Sequence, residues 1–259
     1  LDLLFLDLRR DIFIFLAGVV GAALNAAAGG GSFVGFPVLL FTGIPPISAN
    51  VTNTVALFTG SVASGGAYRD RLDVSRRVLI PLLIASLAGG LFGALILLKT
   101  PAHAFMRVIP WLMLVATILF IFGRKLVRVR HITVSEESTV TAILVTSFLQ
   151  FLLAIYGGFF GAGMSIVLLA MLAAAGMVDI HAMNALKSVL VIAVNGIATV
   201  YFCFFGGVYW VQAGVMIAGA ILGGWFGAHF FKRLPQAWVR GFVILVASSM
   251  TVYFFMKTY

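Results

Sequence analysis

The sequence predicts an all-α polytopic membrane protein built from two homologous repeats. Each repeat holds a glycine-broken helix or re-entrant hairpin plus three spanning helices. Three observations carry this expectation. The chain is 62% hydrophobic and 10% charged, whereas soluble domains carry roughly 25% charged residues; lipid can absorb that apolar surface and a single core cannot. Two apolar segments break at glycine clusters, Gly29-Gly30-Gly31-Ser32 and Gly161-Ala162-Gly163-Met164-Ser165. Finally, motifs of the first half recur in the same order in the second.

The apolar elements run over 12–28, 32–42, 46–68, 77–98, 104–123, 138–156, 164–175, 180–205, 208–231 and 236–256. A full span needs about 20 residues. The first element stops at the glycines, and 32–42 is too short to cross, so it reads as a half-helix completing the element before it. Pro45-Pro46 ends that half-helix and starts the next helix, since proline suits the first helical turn. The segments 77–98 and 104–123 are of spanning length. The second half repeats the order: 164–175 is again a half-helix, and 180–205, 208–231 and 236–256 are full spans.

The repeat can be counted. Gly89-Gly90-Leu91-Phe92-Gly93-Ala94 returns 134 residues later as Gly223-Gly224-Trp225-Phe226-Gly227-Ala228. The same spacing pairs Pro101 with Pro235 and Asn50 with Asn184, and a spacing of 133 pairs Gly30 with Gly163 and Ser32 with Ser165. Repeat one is placed at 12–123, a basic cytoplasmic linker at 124–137, and repeat two at 138–256. The glycine stripes themselves read as close helix packing.

A net charge of +9 does not point to nucleic acid. The basic residues cluster in short stretches, Arg69 to Arg77 and Arg124 to Arg130, between apolar runs. Such clusters orient helices beside anionic lipid on the cytoplasmic side. Breaks lying inside continuous spans give four crossings per repeat and two parallel copies. Breaks at the tips of re-entrant hairpins give three crossings and inverted copies. Both arrangements place eleven Lys or Arg inside and five outside. The loop at 69–77 is basic and its counterpart at Gly206-Gly207 is not, which favours the inverted arrangement.

Backbone is non-helical at membrane depth only where protein or water satisfies it, so paired breaks point to a transporter's binding site. A helix starting in mid-element has up to four amide N–H groups without intrahelical partners, and its dipole adds partial positive charge. An oxyanion is the natural guest. Gly29, Gly30, Gly31, Gly161 and Gly163 allow close approach of the backbone, while Ser32 and Ser165 either cap the half-helices or donate a hydroxyl to the ligand.

Lys187 is the sharper signal. A basic residue at the centre of a membrane helix costs about 3 kcal/mol on insertion scales. It lies only about 10 Å from the start of its element, so it either snorkels or faces a watery cavity and balances an anion. Asn184 shares its helical face. The first-half counterpart is Asn50, Asn53 and Thr54, polar but uncharged. Asn25 and Asn195 read as interhelical hydrogen-bonding groups, and Tyr156 as a ligand donor or a brace for the glycine backbone.

The eight acidic residues all lie outside the deep apolar runs, so a carboxylate proton relay or sodium site is not expected. His229 is the only histidine at the depth of a helix, and an interfacial role suits it. Cys203 is alone, which leaves no disulfide or cysteine metal cluster. A membrane enzyme needs a nucleophile, base or metal set, and none is evident. No cofactor and no metal are expected.

The glycine-broken first helix, Gly43-Ile44-Pro45-Pro46, Asn50-Val51-Thr52-Asn53 and Asn184-Ala185-Leu186-Lys187 together resemble the TauE/SafE sulfite exporter family, from about Val19 to Phe255. The resemblance implies a multi-pass permease of the cell inner (plasma) membrane, exporting or importing sulfite, organosulfonates or a related small anion by alternating access. An anion channel, or a transporter of another organic carboxylate or sulfur anion, is the alternative. The partners implied are the small anion and membrane lipid, with homodimerisation left open.

Overall fold

A computed structural model describes residues 2–27, 29–65, 74–126, 140–177, 179–230 and 236–259. They form ten helices: α1 (Asp2–Ala27), α2 (Ser32–Phe41), α3 (Pro46–Gly65), α4 (Arg76–Lys99), α5 (Ala102–Leu126), α6 (Val140–Phe159), α7 (Met164–Ala174), α8 (Ile180–Phe205), α9 (Trp210–Phe230) and α10 (Gln236–Thr258). Five of them contain stretches long and apolar enough to cross a membrane: Arg76–Lys99, Val140–Phe159, Ala182–Phe205, Trp210–Gly227 and Arg240–Thr258. Large apolar side chains such as Ile84, Phe92, Leu144, Phe148 and Phe204 cover the outer surface, where only lipid can solvate so much of it. The protein is an all-α polytopic membrane protein.

The boundaries differ from the hydropathy reading in three instructive places. Helix α1 starts ten residues before the apolar run, because Leu and Arg favour helix there while the interspersed Asp and Arg lower the hydropathy. Helix α5 runs to Leu126, into the expected linker 124–137; the rest of that linker, 127–137, lies outside the described residues. So does most of the basic loop 69–77, and the side chain of His229. Helix α6 continues through Gly157-Gly158 to Phe159. Paired glycines disfavour helix intrinsically, but here a packing contact overrides the preference: a Cβ at Gly158 would lie 2.1 Å from the Gly90 carbonyl oxygen.

The two glycine stripes make two close seams. In α9, Gly219, Gly223 and Gly227 lie against Phe15, Val19 and Ala23 of α1, and a Cβ at Gly223 would sit 2.0 Å from the Val19 carbonyl oxygen. In α4, Gly89 and Gly93 lie against Phe151 and Ile155 of α6, with 2.1 Å between a Cβ at Gly93 and the Ile155 carbonyl oxygen. Residue numbers rise together along both seams, so each pair of helices is parallel. Small residues permit this backbone contact, which supplies van der Waals packing where lipid removes any hydrophobic drive.

The remaining helices fill in around the seams. Helix α3 runs antiparallel to α8, with Ser48 near Gly207, Val51 near Gly206 and Phe58 near Gly196. It runs parallel to α9, since Thr52 Oγ1 accepts from Tyr209 N–H at 3.1 Å and Gly60 meets Ala220 and Gly224. Helices α5 and α10 are antiparallel: Trp111 Nε1 donates to the Tyr259 hydroxyl, Thr117 meets Thr251, and Arg240 donates to the Ile121 carbonyl. Helix α5 also packs on α7, and α10 on α2. At the centre Phe36 of α2 stacks on Phe254 of α10 and meets Phe105 and Phe160 edge-on. This aromatic cluster fixes α2 against the second glycine break.

Candidate functional site

Both breaks are built in the same way. Gly29 has φ +80° and Gly161 φ +75°, a left-handed conformation that costs other residues about 1–2 kcal/mol. In each, that glycine's amide reaches the carbonyl five residues back: Gly29 to Leu24 at 2.9 Å and Gly161 to Tyr156 at 3.0 Å. This closes the preceding helix as a glycine C-terminal motif does. A side chain then braces each loop. Asn25 Oδ1 accepts from Gly31 N–H at 2.8 Å in the first. The Tyr156 hydroxyl donates to the Ala162 carbonyl in the second.

The half-helices follow at once. Helix α2 is entered from Gly31 and α7 from Gly163, which has φ +74°, and neither has a side-chain cap. Ser32 and Ser165 therefore sit inside the first turns and cap nothing. Tight turns already meet some orphan donors: Phe33 N–H bonds to Gly30, Val34 to Gly31, Met164 to Gly161 and Ile166 to Gly163. Ser165 N–H has no backbone acceptor among the described residues.

The two tips touch. A Cβ at Gly29 would lie 2.2 Å from Ser165 Cβ and 2.7 Å from Ser165 Oγ. Beside this contact is a cavity of about 50 Å³ between α1, α2, α3, α7 and α8. One water needs roughly 10–15 Å³ of such space, so it holds a few waters or one small solute. Its polar wall is Asn25, Ser32, Thr54, Ser61, Ser165, Lys187, Ser188 and Asn195, with Gly29 and Gly161 at the breaks. Leu57, Phe58, Phe160, Met164, Val191 and Ile192 supply its apolar part.

Of the sequence-selected residues, the cavity gathers Gly29, Ser32, Thr54, Gly161, Ser165 and Lys187. The others stand behind it. Asn50 Nδ2 donates to the Phe159 carbonyl at 2.9 Å, tying α3 to the tip of α6. Asn53 Nδ2 donates to Ser32 Oγ at 3.2 Å, and its Oδ1 lies over Gly35, where a Cβ would be 2.1 Å away. Asn184 Oδ1 accepts from Lys187 Nζ at 3.2 Å. Gly30, Gly31 and Gly163 are buried in the loops. Four wall residues, Asn25, Ser61, Ser188 and Asn195, were not among the selected set. The asparagines were visible as buried-depth amides but read as packing. The serines gave no sequence signal of their own, and Ser188 donates to the Asn184 carbonyl at 2.8 Å.

Lys187 dominates the electrostatics. It is 8% exposed, and it is the one buried charged side chain among the described residues. Its partner is a neutral amide. No carboxylate lies within ion-pair distance of it among the described residues. An unpaired buried charge is costly, so the cavity favours an anion electrostatically. The described residues hold no cluster of three His, Cys, Asp or Glu side chains placed to bind a metal.

Comparison with known proteins fits this architecture. The family model described as sulfite exporter TauE/SafE matches residues 14–254. The chain is 29% identical over 241 residues to a probable membrane transporter protein, ORF9, of Sinorhizobium sp., covering 93% of this chain and 90% of that one. It is likewise 29% identical over 256 residues to a probable membrane transporter protein of Haemophilus influenzae, covering 95% of each. No solved structure matches it.

Proposed function

The chain belongs to the sulfite exporter TauE/SafE family, and we propose that it carries sulfite, an organosulfonate or a related small anion across the bacterial inner membrane by alternating access. Membership makes it a membrane anion transporter rather than an enzyme. The observation that carries the finer reading is Lys187: a buried ammonium, balanced by no carboxylate among the described residues, faces a small cavity where two broken helices meet. Ser32 and Ser165 hydroxyls and Ser165 N–H are donors for the oxyanion, and Asn25 and Asn195 complete the polar wall.

Alternating access has a structural basis in inverted repeats. Residues 12–123 and 138–256 form such a pair in this reading, joined by the linker 124–137. Exchanging α1 with α6, α2 with α7, α3 with α8, α4 with α9 and α5 with α10 turns the main packing pairs into one another: α1 on α9 becomes α6 on α4, α3 on α9 becomes α8 on α4, and α5 on α7 becomes α10 on α2. Two observations favour hairpin tips over continuous spans. Gly31 lies against the Gly21 carbonyl, and Phe13, Leu16 and Val20 of α1 share one apolar groove with Val34, Val38 and Phe41 of α2. The parallel course of α3 and α9 agrees with that arrangement.

The test is sulfite uptake by the purified protein in proteoliposomes. Saturable uptake, with trapped sulfite accelerating entry from outside, is expected. Flux that rises without saturation indicates a channel, and no flux in either mode removes the sulfite reading. Topology is tested separately with Gly206→Cys in a Cys203→Ser background: labelling from the periplasm is expected, and labelling only from the cytoplasm rejects inversion.

A further inference from the structure

We propose that Lys187 is the coupling group of the carrier, binding the anion as an ammonium and returning empty as a neutral amine, so that one proton crosses with each anion. The inference rests on the anion reading above and adds the ion that drives or accompanies transport.

The argument starts from what surrounds Nζ. Of the helices packed on α8, α3 and α7 carry no ionisable side chain. Helix α6 carries Tyr156, whose hydroxyl is engaged with the Ala162 carbonyl. Helix α4 carries Arg76 and Arg77, both exposed at its start, and Lys99 in its last turn. On its own side of the chain, Asp179 is exposed before α8 begins, and His181 stands in the first turn of α8 with its side chain outside the described residues. Tyr201 and Cys203 lie more than three turns further along the helix. Inside the cavity every other polar group is a hydroxyl, an amide or backbone. Among the described residues, nothing can neutralise the ammonium except the cargo.

That fixes the two halves of a transport cycle. With an anion bound the ammonium is paired, leaving a neutral pair for a monoanion and one net negative charge for sulfite dianion, and the closed site no longer holds an unpaired cation. Without the anion, closing the cavity would enclose an unpaired ammonium with space for only a few waters, and a buried charge in that state tends to lose its proton instead. The proton therefore leaves Nζ for water on the side where the anion leaves, and an equivalent proton joins Nζ where the next anion binds. The balance is one anion and one proton moved in the same direction per cycle, with lysine regenerated and no oxidant, reductant or further ion required. A carboxylate relay is unnecessary, which fits a chain whose acidic residues all lie outside the deep apolar runs.

The experiment uses wild-type and Lys187→Arg protein in proteoliposomes at alkaline pH, with sulfite as the probe. Methanesulfonate, which binds no proton at any working pH, is run beside it, so that a proton entering with the anion is not one the anion carries. Membrane potential is clamped, and a trapped dye reports lumenal pH. For the wild type, the lumen is expected to acidify in step with sulfite entry; sulfite entry without any pH change overturns the proposal while leaving the anion reading intact. Arginine stays charged at every working pH. Lys187→Arg is thus expected to keep sulfite–sulfite exchange and to lose net entry at least tenfold; net entry at the wild-type rate overturns the proposal. Should Lys187→Arg show neither exchange nor sulfite-induced thermal stabilisation, the wild-type pH record alone decides. If the wild type carries no sulfite in any mode, the anion reading fails and this inference fails with it.

Discussion

Helices α3 and α8 are counterparts in the proposed repeat, yet they treat the centre of the molecule differently. Asn50, Asn53 and Thr54 in α3 correspond in sequence to Asn184, Lys187 and Ser188 in α8. Asn53 is fully buried and spends its amide on Ser32, the first residue of its own half-helix. Lys187 turns to the cavity, with Asn184 of the same helix as its support. One half therefore supplies a polar scaffold and the other a charge. The cavity is accordingly a single asymmetric site, not two copies of one, and a single net positive charge suits a single anion.

Removing the charge should break this comparison most sharply. Lys187→Gln turns α8 into a near copy of α3. A hydrogen bond to a charged group contributes roughly 1.5–3 kcal/mol, so sulfite binding should weaken roughly 10- to 100-fold while the protein stays folded in detergent. Isothermal titration measures it, and unchanged affinity would remove Lys187 from the site. Next comes the contact between the tips. Gly29→Ala meets both a left-handed backbone and Ser165 Cβ at 2.2 Å. A loss of roughly 2–4 kcal/mol in stability is expected, read as a lower detergent melting temperature together with loss of the sulfite shift.

Gly163→Ala sharpens the comparison between breaks. Its backbone is equally left-handed, but the nearest neighbour of a new Cβ is Ala116 Cβ at an ordinary 3.4 Å. Only the backbone cost of about 1–2 kcal/mol remains, and sulfite binding should survive in what folds. If the two alanine variants were equally damaging, the tip contact would not matter. The smallest effect is expected from Tyr156→Phe, which removes the brace on the Ala162 carbonyl. A loss of about 1 kcal/mol follows for one hydrogen bond, visible as a shifted melting curve with affinity nearly unchanged.

How far the sequence revealed all this depends on what kind of signal each residue gives. The breaks were legible because glycine runs inside apolar segments have few other uses, and their positions fall between α1 and α2 and between α6 and α7. Lys187 was legible because charge at depth is expensive. Asn50 and Asn53 were harder. Helical periodicity says which residues share a face and nothing about what stands opposite, and what stands opposite is the Phe159 carbonyl and Ser32. The next turns of the same helix, at Leu57, Phe58 and Ser61, reach the cavity instead. Asn25 carries two duties, holding Gly31 and lining the wall, and a one-dimensional pattern assigns only one. The course of α3 beside α9 depends on contacts more than 150 residues apart, which no local pattern encodes.

The glycine seams have a consequence for how such a molecule is made. Helix α1 is bound to α9 and α6 to α4, so each half's leading helix leans on a helix of the other. Helix α1 ends at Ala27 and its seam partner α9 begins only at Trp210, so the close-packing face of α1 has no native partner until the second half is made. Neither half is a self-sufficient folding unit, and two separately encoded halves would reach the native state only when synthesised together. A chain packed in this way is hard to divide, because its helices are woven rather than joined end to end.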